Sequence, residues 1–350
     1  MSGEPIIARE ADLIIGIGTR YSDFTTASKT AFQNPEVRFV NINVAEFDAY
    51  KHSALPLTAD ARATLDELAG MLADFHVSRD YAQRIERLRQ EWDMEVDRVC
   101  HSGDGNNVTQ GQVIGVVNEF MGPRDVVVCA AGSLPGDLHK LWRTRDPKGY
   151  HLEYGYSCMG YEIAGGLGVK MADPSREVYV LVGDGSYLMM AQEIVTSIQE
   201  GYRLNIVVLD NHGFGSIGGL SRACGSGGFG TEYRYRKNES LTGDPIQLDF
   251  VANAASLGAR ACRVKTRDEL LKALSSARTA DRTSVIVMET DMNQRVPGYE
   301  SWWDVPIAEV SQIDSVRAAR AAHEKAVRKE RYFLNPGTKK QPEASVKGDD

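Results

Sequence analysis

Apolar positions fall into short continuous runs separated by amphipathic stretches, and the most regular example lies at 178–220. Its two runs, VYVLV and NIVVL, are rich in β-branched residues and show no polar alternation. Runs of about six such residues suit parallel strands buried on both faces, which require a crossover helix between them. Strands are predicted at 177–182 and 204–209, with a helix near 188–200. Further runs predict strands at 125–129, 149–154, 258–264 and 284–289, alternating with helices near 159–171, 249–257 and 267–280. Thr109 is placed to cap a helix reaching Phe120. This alternation implies an α/β fold with a doubly wound parallel sheet.

The first 75 residues carry a smaller version of the pattern. Strands are expected at 11–18, 37–44 and 55–58, then a helix at 59–75 with Leu65, Leu68, Met71 and Leu72 on one face. This reads as a partial Rossmann-like layer. Three strands are few for such a layer, so the chain is expected to begin inside a domain, with an open sheet edge and an exposed apolar face. The densely charged stretch 76–108 reads as a connecting helix and linker, ending in the polar turn SGDGNN. The second domain is then expected at 109–290, an aromatic anchor (SWWDVP, from Ser301) and a charged helix within 291–334, and a tail at 335–350 with the composition of disorder. Residues 212–247, rich in Gly, Ser and Arg, read as a long binding or lid loop. Within it, Arg222, Tyr233, Arg234 and Arg236 are expected at the solvated surface.

Bulk composition narrows the function classes. A net charge of −8 and a pI near 5.5 argue against general affinity for nucleic acid. No apolar run approaches the ~20 residues of a membrane span, and the N-terminus lacks a signal-peptide pattern, so a cytoplasmic protein is expected. The five cysteines show no C-x-x-C spacing, and Cys129 and Cys262 are expected in the core. Gly16-x-Gly18 hints at a dinucleotide site, but the third glycine of that motif would fall at Tyr21.

The chemistry sits at the carboxyl ends of the two central strands, where open α/β sheets bind ligands. Asp184 ends one run and Asn211 the other. A carboxylate beside an amide oxygen makes a hard-oxygen site suited to Mg2+ holding phosphates. Gly183 and Gly185 let the turn tighten and its N–H groups approach a phosphate, while Ser186 and Tyr187 open the next helix. His139 and His212 are the nearest candidates for proton transfer, although a structural role is expected for a loop histidine.

Gly183-Asp184-Gly185 followed by Asp210-Asn211 resembles the signature of the thiamine diphosphate enzymes. The resemblance implies thiamine diphosphate and Mg2+ as cofactors, with Asp184, Asn211 and the Gly213 carbonyl as metal ligands. The stretch EYGYSCMGYEIAGGLG resembles the segment whose bulky residue, here Met159, props the cofactor in its bent conformation. Gly132-Ser133-Leu134 resembles the loop that helps hold the diphosphate. Four blocks, MMAQEI, NHGFGSIGGLS, GFGT and SWWDVPIAEVS, are similar to one branch of the family: hydrolases that open the ring of a cyclic diketone in inositol catabolism. What that branch implies is a small-molecule substrate and a homodimer, a homotetramer or a separate pyrimidine-binding chain as partner. The family's activating glutamate belongs to a preceding domain, so Glu153, Glu162 and Glu193 cannot be assigned its role. No catalytic residue is assigned here. An acetolactate synthase-like carboligase or decarboxylase, an inactive cofactor-binding fragment and a nicotinamide-dependent dehydrogenase remain as alternatives.

Overall fold

The computed structural model describes residues 6–102, 108–292, 294–299 and 302–333. They form two compact units. One contains the described residues up to Glu91, those within 298–310 and those from Arg317 on; the other contains Trp92–Pro297 and Ser311–Val316. The segment read as 291–334 in sequence is thus divided between them. The expected linker turn at 103–107, Ser301 and the tail lie outside the described residues. Among those described, no helix is long and apolar enough to cross a membrane.

The first unit is built on three parallel strands, β1 (Leu13–Ile17), β2 (Arg38–Asn43) and β3 (Leu55–Thr58), in that spatial order. Ile15 pairs with Val40, and Ile42 with Leu57. The helix α1 (Ala61–Met71) follows, its N-cap Asp60 accepting from the Ala63 N–H, and then the long α2 (Arg79–His101), which enters the second unit at Trp92. A small core of Phe32, Val37, Phe39 and Phe333 holds one side of the sheet. On the other side Leu13, Ile15 and Ile17 stay exposed, as do Leu65, Met71 and Leu72 of the apolar stripe along α1. Gly16 is explained by packing rather than by a dinucleotide: a Cβ there would fall 2.1 Å from the Tyr21 hydroxyl, which donates to Asn41 at 2.6 Å. Near the C-terminus, Trp303 meets Phe24 edge-on and Trp302 packs near His323.

The second unit opens with α3 (Gln110–Phe120), whose N-cap Thr109 forms a reciprocal capping box with Gln112. There follow β4 (Val126–Cys129), α4 (Ser133–Leu141), β5 (Tyr150–Leu152), α5 (Tyr161–Ala172), β6 (Val178–Gly183), α6 (Asp184–Met190), α7 (Glu193–Gln199) and β7 (Asn205–Asp210). The rest is α8 (Gly215–Ala223), α9 (Phe250–Ser256), β8 (Arg260–Val264), α10 (Arg267–Arg278) and β9 (Ser284–Glu289). All six strands are parallel, in the order β5-β4-β6-β7-β9-β8. After β4 the chain goes to one side and then returns to the other for β6, so the order reverses between these two strands. Such a switch point opens a crevice at the carboxyl ends of the strands.

The interior of β6 and all of β7 are buried, which is why both read as continuous apolar runs. Val180, Ile206 and Val285 belong to one core with Ile163, Tyr187 and Phe250. Three expectations need correction. The single helix near 188–200 is two helices, the first starting at Asp184 with no intervening loop. The long loop at 212–247 contains α8, concealed in sequence by four glycines near its start. Cys262 is exposed rather than in the core, because β8 is an outermost strand.

Candidate functional site

The β6–α6 junction is abrupt. Gly183 is extended and Asp184 is already the first helical residue, so the carboxylate is held at the mouth of the crevice. One oxygen accepts from the Gly185 N–H at 2.8 Å and the other from the Gly213 N–H at 2.9 Å. The side chain is 1% exposed. Burial, reinforced by the nearby Asp210 charge, pushes its pKa up to about 7. A buried carboxylate without a cation beside it is costly, and a bound cation would relieve that cost.

Asn211 supplies the second oxygen. It follows β7, is buried, and its Oδ1 has no hydrogen-bond partner among the described residues. An orphaned buried acceptor in a polar crevice is suited to a donor or a cation. Gly213, two residues on, is held in a short bridge to Glu232 in which Phe214 N–H donates to the Thr231 carbonyl and Tyr233 N–H to that of His212. The Gly213 carbonyl takes no part in those bonds. A Cβ at Gly213 would lie 2.3 Å from the Thr231 carbonyl oxygen, so only glycine permits this bridge.

From the other wall, Gly132 (φ 95°) turns the chain out of β4 and Ser133 begins α4; the expected Gly-Ser-Leu loop is therefore a helix start, with Leu134 buried. Together Gly132, Ser133, Leu134, Met159, Gly183, Asp184, Gly185, Ser186, Asn211 and Gly213 line one open cleft of about 430 Å³. Tyr187 does not line it. Its ring lies in the core against Phe250, and its hydroxyl donates to Asn253 at 2.9 Å, so its side chain faces away from the cleft.

Several participants were not legible as such. Gln110, Ala131, Phe214, Ser216 and Ile217 also line the cleft. Tyr233, expected at the surface, instead turns its hydroxyl inward beside Gly185, where it is buried and lacks a partner among the described residues. Burial, with the Asp184 and Asp210 charges, pushes its pKa upward. Arg222 and Arg234 are engaged by Glu232. His212 is likewise engaged: its Nε2 is 2.9 Å from Glu289 and its Nδ1 3.4 Å from Asp210. Burial by itself lowers its pKa, but the hydrogen bond to Glu289 and the acidic neighbours hold it above the ordinary range. His139 packs between Tyr150 and Tyr154, and burial lowers its pKa.

The donor set has a definite chemical character. Among the described residues no group of three or more His, Cys, Asp and Glu gathers to hold a metal. The cleft instead offers one carboxylate, one free amide oxygen and one unused backbone carbonyl. Such hard oxygens suit a hydrated Mg2+-like ion that shares its coordination sphere with phosphates, rather than zinc.

Family models and known proteins match most of the chain. Residues 130–288 match the family model of the thiamine pyrophosphate enzyme C-terminal TPP binding domain, and residues 5–68 that of the central domain of the same enzymes. The chain is 44% identical over 353 residues to 3D-(3,5/4)-trihydroxycyclohexane-1,2-dione hydrolase 2 of Bacillus cereus, an alignment covering 93% of this chain and 55% of the relative. It is 44% identical over 339 residues to the Bacillus anthracis hydrolase of that name, covering 89% of this chain and 53% of the relative. The chain spans about half the length of the curated relatives it matches. In fold it is similar to a thiamine diphosphate-dependent 4-hydroxybenzoylformate decarboxylase of Rhodococcus jostii RHA1, with a TM-score of 0.59 at 20% identity over 80% of this chain and 49% of that one.

Proposed function

We propose, since this chain belongs to the thiamine pyrophosphate enzymes, that its cleft holds thiamine diphosphate through a magnesium ion and serves the hydrolytic ring opening of a trihydroxycyclohexane-1,2-dione. The observation that carries the cofactor reading is the pair formed by buried Asp184 and the partnerless Asn211 Oδ1 in one cleft. The substrate reading rests on the names of the 44%-identical relatives.

Asp184, Asn211 and the Gly213 carbonyl would hold the ion. The Gly185 position, where a Cβ would strike the Phe214 ring at 2.8 Å, keeps the floor of the cleft low enough for a phosphate to approach backbone N–H groups. Gly132 and Ser133 offer the same kind of approach from the β4 side. Met159 supplies an apolar wall. When bound, the cofactor provides a carbon nucleophile and an electron sink for breaking the bond between two adjacent carbonyl carbons. Addition of water across that bond leaves one carboxylic acid and one aldehyde on the opened chain. For the protein, the work is positioning: Asp184 fixes both its own turn and the Gly213 loop, so the ion and the phosphate sites stay in register.

The test is product analysis. The chain, supplied with magnesium, thiamine diphosphate and the cyclic diketone, is expected to yield an open-chain deoxyuronic acid, either alone or once the remaining half of a full-length relative is added. Release of carbon dioxide and acetolactate from pyruvate, with the diketone untouched, would replace this reading with a carboligase.

A further inference from the structure

Glu162 is the deepest carboxylate of the second unit that the cleft chemistry leaves unused. It lies in the first turn of α5, is 1% exposed, and makes no ion pair among the described residues. Its oxygens accept instead from three separate segments. The Ala131 N–H, in the turn after β4, reaches Oε1 at 3.2 Å, and the Gly160 N–H, next to Met159, reaches Oε2 at 3.0 Å. The Ser186 hydroxyl, in the turn after β6, lies 2.8 Å from both oxygens. Ser186 Oγ closes the set by also accepting from Gly160 N–H at 2.8 Å. Ala131, Met159 and Ser186 all line the cleft.

We infer that Glu162 is a positioning residue for the diphosphate cradle: one buried carboxylate ties the β4 turn, the Met159–Gly160 turn and the β6 turn into a single wall. The inference rests on the reading that this cleft takes a diphosphate with a divalent cation. Three donors converging on one carboxylate favour its retention in a place where an uncompensated charge would be expelled. They also explain the orientation of Ser186. Its hydroxyl faces inward to the clamp rather than outward to a ligand, so Ser186 serves the cleft through its backbone and through Glu162. An aliphatic residue at 162 would fill the space but leave the Ala131 N–H without its acceptor. A glutamine would keep the shape and turn one acceptor into a donor facing another N–H group.

The experiment uses Glu162→Gln, Glu162→Asp, Ser186→Ala and the double variant Glu162→Gln/Ser186→Ala in the whole chain. Two quantities are read: hydrogen exchange at the Ala131 and Gly160 amides without ligand, and the dissociation constants for thiamine diphosphate and for inorganic pyrophosphate, each with magnesium. Expected are faster exchange at both amides and a rise in both constants of roughly 10- to 100-fold for Glu162→Gln, the size typical of losing an outer-shell support. Glu162→Asp, which keeps the charge at shorter reach, should recover part of the loss. The double variant should lose clearly less than the product of the two single losses, because both act on one network. Exchange at Ala131 and Gly160 unchanged from wild type, fully multiplicative losses, or affinities unaltered in Glu162→Gln would overturn the inference. If wild type itself fails to bind either ligand, the cofactor reading falls, while the exchange data still decide whether the clamp exists.

Discussion

The two parallel sheets of this chain are built from similar sequences and end in different environments. In the second unit, Val180 and Val182 of β6 and Val208 of β7 are 0–1% exposed. In the first, Leu13, Ile15 and Ile17 of β1 are 48%, 53% and 41% exposed. Strand character is local, set by β-branched side chains, whereas burial depends on what else packs against the sheet. An apolar run therefore predicts a strand better than it predicts a core. The functional difference follows: six strands covered by intervening helices make a rigid edge from which Asp184 and Asn211 can be aimed, and three half-covered strands do not.

Substitutions at matched positions can sharpen or break that contrast. The largest effect is expected from Val180→Asp, which places a charge without partner in the centre of the larger core. It should cost more than about 4 kcal/mol and abolish the cooperative unfolding of the second unit, as followed by circular dichroism in urea. Next comes Asp184→Asn, which removes a buried charge while keeping a similar shape. At pH 8 the ligand-free chain should change by less than about 1 kcal/mol by denaturant midpoint, because relief of the buried charge is offset where the new amide NH2 faces the Gly185 or Gly213 N–H, and it should lose magnesium-dependent cofactor binding in calorimetry. A loss of stability with binding intact would reverse the assigned role.

A smaller, pH-linked effect is expected at Glu162. Burial raises its pKa above the ordinary range, its hydrogen bonds only partly offsetting this. The folded state thus favours the protonated form, and the stability that this group contributes is present at low pH and lost as pH rises through its raised value. Subtracting Glu162→Gln, which does not titrate, isolates the effect: wild type should lose ground to the variant as pH rises from 4 to neutrality in paired thermal melts. A gap independent of pH would mean that the carboxylate is not desolvated. The smallest effect is expected at Ile15→Asp, about 1 kcal/mol or less in this chain, because the side chain already meets solvent. A loss as large as that of Val180→Asp would show that β1 is covered in solution and remove the contrast.

What the sequence disclosed divides along the same line. Strand positions were legible in both units, since β-branched runs bounded by turn residues mark them regardless of context. The place of Asp184 and Asn211 at one cleft was legible because each directly follows a strand. Roles that depend on a third element were not. Glu162 sits in a Gly-rich helical stretch in which a glutamate ordinarily marks a solvated face, and its donors come from segments 31 residues before and 24 after it. Tyr233 lies in a loop of arginines and tyrosines, and its inward turn follows from the Gly213–Glu232 bridge. Tyr187 lies in the first turn after Asp184, as its sequence position implies, but helical periodicity turns its ring to the core and away from the cleft. The α8 helix was concealed because Gly215, Gly218 and Gly219 lower helix propensity. Gly218 has a packing reason: a Cβ there would lie 3.0 Å from Thr231 Oγ1.

The central claim is that one carboxylate and one amide oxygen together hold the ion that fixes a diphosphate. Its most direct measurement is calorimetric titration of thiamine diphosphate into wild type and Asn211→Ala, each with magnesium and with a chelator. Binding by wild type only when magnesium is present, weakened at least tenfold in Asn211→Ala, is the expected result. Equal affinity with the chelator, or an Asn211→Ala chain that binds as wild type does, would contradict it.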